Sequence, residues 1–116
     1  MLPKINRIKK KSDFESVFKK GVSFKNSCLI LRVAKNNLSY SRFGFVISQK
    51  VSKKAVDRNK IKRRLSEIIK AELKTIKAGL DLVFISLPGA KKRKFIEAKE
   101  DVNSLLIKAR VITQPR

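Results

Sequence analysis

Histidine is absent from all 116 residues. That removes the usual proton shuttle at neutral pH, the imidazole metal ligand and every nucleophile triad built on His. A self-sufficient hydrolase is disfavoured, although chemistry through carboxylates and a metal stays open. Acids are scarce too: 9 Asp and Glu face 30 Lys and Arg, a formal charge of +21. The single cysteine, Cys28, cannot form an internal disulfide. Set in the apolar run CLILRVA, with no His to activate it, it reads as a small buried hydrophobe. No stretch approaches the ~20 apolar residues of a membrane span. The basic start MLPKINRIKKKSDF is followed by no apolar segment, so no signal peptide is expected and the chain reads as cytoplasmic.

Apolar residues make up 42 % of the chain, enough for a core, and the length suits one domain over residues 1–116. Residues 1–11 form a basic arm without strong periodicity. The charge imbalance costs self-repulsion in the compact state and favours an anionic partner. Nucleic acid is the first candidate and an anionic membrane surface the second.

Hydrophobic spacing predicts the elements. Ser12-Asp13-Phe14-Glu15 fits a capping box that opens a short helix over about 13–20, closed at Gly21. An extended segment runs from Ser23 to Ala34, with Leu29, Leu31 and Val33 on one face and Cys28, Ile30 and Arg32 on the other. KNNLSYS is a polar turn, and RFGFVISQK is a second strand with Phe43, Phe45 and Ile47 towards the core. Ile61, Leu65, Ile68, Ile69, Leu73 and Ile76 form one stripe of a long helix over about 54–76. LDLVFISLPG reads as a buried strand, AKKRK as a basic loop, and Phe95 to about Val111 as a last helix. In that helix Phe95, Ile96, Val102, Leu105, Leu106 and Ala109 are available for packing. The order gives an α/β (α+β) sandwich, a small mixed sheet packed with helices. RFGFVISQK, the long helix and LDLVFISL form a strand–helix–strand crossover, which general chirality would make right-handed.

AVDRNKIKRRL carries the densest charge. On a helical wheel Asn59, Lys62, Arg63, Ser66 and Lys70 share one arc beside the apolar stripe. Arg58 lies at the helix start, in line with the stripe, while Lys60 and Arg64 lie farther round. Few acids stand near enough to pair with these cations, and the excess recurs in the arm and in AKKRK. A basic ridge on a rigid element suits phosphate binding; the plain alternative is a solvated helix face. Asn59, a poor helix former, could donate to and accept from a ribose or base edge. Phe14 and Phe18, one turn apart, are either core or stacking platforms for unpaired bases. Arg32 and Lys50 project from the mixed strand face, which is either ordinary surface or the floor of a groove.

Three stretches, NRIKKKSDFESVFKKG, FGFVISQKVSKKAVDRNKIKRRL and DLVFISLPGA with its following helix, resemble the protein subunit of bacterial ribonuclease P. The central stretch is similar to that family's Arg-Asn-Arg signature, which follows a Ser-Lys-Lys strand end and opens the long helix. The resemblance implies a four-stranded mixed sheet with about three helices and, against the general rule, a left-handed crossover. It implies a catalytic ribonuclease P RNA and precursor tRNA as partners, with no membrane and no obligate protein partner. The implied reaction is endonucleolytic removal of the 5′ leader. RNA-bound Mg2+ carries the hydrolysis, so no protein residue is a catalytic candidate. By position, Arg58, Asn59, Lys60, Lys62 and Arg63, with Arg64 beside them, match the surface that meets the RNA subunit. Phe14 and Phe18 match the leader-cleft aromatics, and Ser48, Lys50 and Lys53 fall at the strand end bordering that cleft. Departures from the pattern are Lys60 where Arg is usual, Gln49 for Lys and Ser52 for Gly. Arg32 stands where some relatives carry a cleft Tyr and suits a phosphate contact instead. An assembly with about 6–10 phosphate contacts should weaken ~10³–10⁵-fold between about 50 and 200 mM salt. The rival readings are a structural RNA-binding protein of similar architecture, a carboxylate–metal nuclease acting alone, and a membrane-surface binder.

Overall fold

The apolar alternation of LILRVAK and RFGFV feeds a single sheet. The structure, a computed structural model, describes residues 2–112. Its regular elements are α1 (Lys11–Lys20), β1 (Val22–Lys25), β2 (Leu29–Lys35), β3 (Arg42–Val46), α2 (Ala55–Glu72), β4 (Leu80–Ser86) and α3 (Phe95–Lys108). Short 3-10 turns occupy Lys4–Asn6, Leu73–Thr75 and Pro88–Lys92. The sheet order is β1-β2-β4-β3, with β3 parallel to β4 and the other neighbours antiparallel. This is the expected α+β arrangement, a four-stranded mixed sheet with three helices.

One face of the sheet carries the main core. Leu31, Phe43, Leu82 and Phe84 meet Leu65, Ile68 and Ile69 from α2 and Val102, Leu105 and Leu106 from α3. The rings of Phe45 and Phe84, cross-strand neighbours, stack with centroids 6.0 Å apart. Each fully buried side chain of this size contributes about 1.5–3 kcal/mol by leaving water. The opposite, mixed face is covered as well: Ile8 from the arm and Val17 from α1 close over Val83. It is therefore not an open sheet floor.

Arg42 fixes α1 to that second face. Its guanidinium donates twice to Asp81, at 2.9 and 2.7 Å, and once to Asp13 of α1 at 3.2 Å. Such a two-pronged fork locks orientation as well as charge. The expected capping box does not form. Asp13 turns to Arg42, the helix begins at Lys11, and Ser12 lies inside it, exposed.

Three further expectations are corrected. Residues 23–34 are not one strand but a hairpin, because the Asn26 side chain accepts the amides of Cys28 (3.0 Å) and Leu29 (2.9 Å) and turns the chain. Cys28 thus sits in the turn, escapes the strand alternation, and is buried in the main core. The long helix ends at Glu72 and tightens through a 3-10 turn; Ile76 then bridges Ile112 instead of extending the helix. In α3, Phe95 and Ile96 are exposed. Arg93, bonded through two nitrogens to Asp101, and Glu97, accepting the Lys94 amide, set the helix start. Ala98, Val102, Leu105 and Leu106 then face the core, and Phe95 and Ile96 face solvent.

Candidate nucleic-acid interface

Gly44 shapes the site by lacking a side chain. The Phe14 ring rests against it so closely that a Cβ there would come within 2.5 Å of Cε1 and 2.8 Å of Cζ. Beside this contact the arm joins the free edge of β3. Arg7 bridges Phe43 in parallel, the Ile8 amide donates to the Phe43 carbonyl at 2.9 Å, and Asn6 Nδ2 donates to the Ser41 carbonyl at 2.8 Å. The RIK segment thus meets β3 through one isolated bridge and is not a full strand.

Where the arm, β3 and α2 converge, a groove of about 380 Å³ opens. Phe14, Gly44 and Phe45 give it apolar surface, while Arg7 and Lys9 from the arm and Lys62 and Ser66 from α2 give it polar walls. One α2 side chain, Lys62, thus shares a groove with Phe14 of α1. Asn59, Lys60 and Arg63 are exposed on the same helix, within a turn of Lys62. The helix they ride on is held by its buried stripe, so this cationic array is carried on a rigid support. An aromatic ring, a glycine-floored gap and fixed cations can receive an unpaired base and neighbouring phosphates.

Other candidates have structural partners. Arg58 folds back, donating from Nη1 to the carbonyls of Ser52 (2.9 Å) and Lys53 (3.0 Å), and so braces the loop that precedes α2. Ser52 adds a 2.9 Å bond to Asp57 in the first turn of α2, where an acid also suits the helix dipole. Arg64 donates from Nη1 to the Arg93 carbonyl at 3.1 Å. Arg32 closes the end of α1, donating to the Phe18 carbonyl (2.6 Å), the Gly21 carbonyl (2.9 Å) and Ser23 Oγ (2.6 Å). Ser48, Lys50 and Lys53 are exposed on the loop between β3 and α2, anchored by buried Val51 and Ser52, and they do not line the groove. Phe18 is 41 % exposed and lies outside the groove lining.

Sequence reasoning had not singled out Arg7, Lys9, Gly44 or Phe45 as site residues. The Gly44–Phe14 contact joins residues 30 positions apart and leaves no local trace. The basic loop at 91–94 also comes to α2, through the Arg64 bond and through Lys91, 3.8 Å from Asp57. Of its cations, Arg93 is engaged: the Asp101 hydrogen bonds raise its pKa above the ordinary arginine value. Arg42 is raised likewise, first by its hydrogen bond to Asp81, so both stay charged throughout the accessible pH range.

At least five of the nine carboxylates are engaged by cations or a hydroxyl. Asp13 and Asp81 serve Arg42, Asp57 serves Ser52 and Lys91, and Glu97 and Asp101 serve Arg93. Among the described residues no three potential ligands cluster, and no helix is long and apolar enough to cross a membrane.

Comparison with known proteins matches this geometry to a family. The model of the family described as Ribonuclease P matches residues 2–110. The ribonuclease P protein component of Pseudanabaena sp. is 38 % identical over 113 residues, covering 97 % of each chain. That of Alkaliphilus metalliredigens is 36 % identical over 108 residues, covering 93 % of this chain and 96 % of its own. Among solved structures, a Staphylococcus aureus RNase P protein mutant with defective mRNA degradation activity superposes with a TM-score of 0.88 at 32 % identity, covering 94 % of this chain and 92 % of that one. The Thermotoga maritima RNase P protein gives 0.80 at 32 % identity, covering 88 % and 96 %. With the match running through the arm, the groove and the basic helix alike, the chain belongs to the bacterial ribonuclease P protein family.

Proposed function

We propose that the chain binds a catalytic ribonuclease P RNA through Asn59, Lys60 and Arg63 and holds the 5′ leader of precursor tRNA in the groove beside Phe14. Family membership carries the coarser statement: an RNA partner, and ribonuclease activity within a ribonucleoprotein. The finer reading rests on one observation, that Lys62 of the basic helix lines the same groove as Phe14 and Gly44. A single rigid helix then touches both RNAs, the leader from its groove side and the catalytic RNA from its exposed side. Fixing their relative position raises the effective concentration of the scissile bond at the catalytic RNA.

Arg58 acts here by holding the loop that presents Ser48, Lys50 and Lys53 near the emerging leader. Arg64 ties the 91–94 loop to the same surface, and Arg32 fixes the end of α1 through the Phe18 and Gly21 carbonyls. The protein contributes binding, orientation and charge neutralisation, and Mg2+ is held by the RNA, as the engaged carboxylates favour. The test is reconstitution: purified protein is added to catalytic RNA and precursor tRNA at limiting magnesium. Leader removal should accelerate, and RNA-free protein should leave the precursor intact. No acceleration, or cleavage by the RNA-free protein, overturns the proposal.

A further inference from the structure

A second groove, of about 480 Å³, lies at the opposite end of the sheet and shares no lining residue with the first. Its apolar surface comes from Val22, Phe24 and Leu80 on the α3-facing side; Phe24 and Leu80 are half-buried against the main core and Val22 is 62 % exposed. Four cations rim it: Lys20, Lys35, Lys77 and Arg110. No acid lines the groove, and none of the four takes part in an ion pair among the described residues.

Two features show that the rim is built in place. The Lys77 amide donates to the Val111 carbonyl at 2.7 Å, and its carbonyl accepts the Ser41 hydroxyl at 2.5 Å, so the segment before β4 and the end of α3 are clamped together. Arg110 adopts a left-handed backbone, φ 58°, at the position just past a helix where glycine is favoured. Its amide bonds the Ile107 carbonyl and the next amide reaches Leu106, closing the helix in a Schellman turn. An arginine in a backbone conformation that glycine adopts more easily, and lining a groove, points to a role for that side chain.

We propose that this groove binds an unpaired RNA nucleotide, its base against Phe24 and Val22 and its flanking phosphates on the four cations. The inference rests on the reading of the chain as an RNA-binding subunit and adds a contact surface remote from the leader groove. A second copy of the chain does not fit, because two rims of the same sign would face each other. A flat membrane does not reach the concave floor.

The test uses the full chain with hexauridylate, followed by backbone amide shifts in NMR. Shifts should appear at residues 22–24, 33–35, 77–80 and 109–111, persist in Lys60→Ser/Arg63→Ser, and disappear in Lys35→Ser/Lys77→Ser. The latter variant should also lower the slope of log affinity against log salt by about 1.4, two phosphate contacts at ~0.7 each. Hexaglutamate should shift none of these amides. Equal shifts with hexaglutamate would make this an acidic-peptide site and overturn the proposal. So would hexauridylate shifts confined to β3 and α2, or none at all. Those negative results leave leader removal in the reconstituted complex unaffected, so the two readings fail separately.

Discussion

The two faces of the sheet are closed by different means. On the α2–α3 side a continuous set of buried apolar side chains fills the space between sheet and helices. On the α1 side, among the described residues, only Ile8, Val17 and Val83 are buried as a cluster, with Phe14, Ala34, Val46 and Ile85 half-buried around them, and the Arg42–Asp81–Asp13 network and the Arg32 bonds to the end of α1 add polar attachment. Stability is therefore concentrated on one side. The groove opens where the two sides meet at the β3 edge, with Phe14 and the arm on one wall and Phe45 and Lys62 on the other. The cations divide by engagement rather than by face. Arg32, Arg42 and Arg93 are bonded into the fold, whereas Lys60, Lys62 and Arg63 stand on its surface.

The largest expected effect lies in the main core. Leu106→Ala should cost about 3–5 kcal/mol in chemical denaturation, within the range for a fully buried leucine. Ile8→Ala, in the small cluster, should fall at or below the low end, about 2 kcal/mol. Equal losses would erase the contrast between the faces. Next comes Asp81→Asn, which leaves Arg42 without its two-pronged acceptor. The pair is partly solvated, so about 2–3 kcal/mol is expected, with α1 loosening first in amide exchange. Protection of α1 equal to wild type would show that apolar contact alone holds that helix.

Substitutions in the groove should divide binding from folding. Gly44→Ala drives a methyl into the Phe14 ring, so it should displace the ring and weaken leader-dependent affinity about tenfold; a leader stack is worth roughly 1–3 kcal/mol. Arg63→Ala should weaken assembly with the RNA subunit severalfold at unchanged unfolding midpoint, whereas Lys74→Ala, beyond α2 and away from the groove, should do nothing. Equal effects of these two would remove the distinction between ridge and ordinary surface charge.

The smallest effect concerns pH. Glu97 accepts the Lys94 amide and lies near Arg93, and both hold its pKa below the ordinary 4.5. A depressed carboxyl contributes stability that is complete above its unfolded pKa and lost as pH falls through the folded one. The first turn of α3 should therefore fray only below about pH 4.5, and an NMR titration of the Glu97 carboxyl should show a midpoint beneath the free value. Glu97→Gln should abolish that pH dependence.

Much of this division was legible in the residues. The stripe through Ile61, Leu65, Ile68 and Ile69 set α2 against the sheet, and alternation oriented Leu31 and Phe43, because these patterns are local and periodic. The hairpin at Asn26 and the early start of α1 depended on single side-chain bonds, which periodicity does not register. The basic run on α2 was visible as charge, but not that Arg58 and Arg64 would turn to backbone carbonyls while Lys62 entered a groove. Separating these needs the positions of residues 52, 53 and 93, which only the folded chain supplies. Phe14 could be read as core or platform; the fold leaves it half-buried against Gly44 and lining the groove.

The most direct test compares two substrates on the reconstituted ribonucleoprotein, precursor tRNA with its 5′ leader and mature tRNA without one. The wild-type protein should favour the precursor, and Lys62→Ser should shrink that preference while leaving affinity for the mature tRNA and the protein's unfolding midpoint unchanged. A preference untouched by Lys62→Ser, or an equal loss of affinity for both substrates, would contradict the assignment of the Phe14–Lys62 groove to the leader.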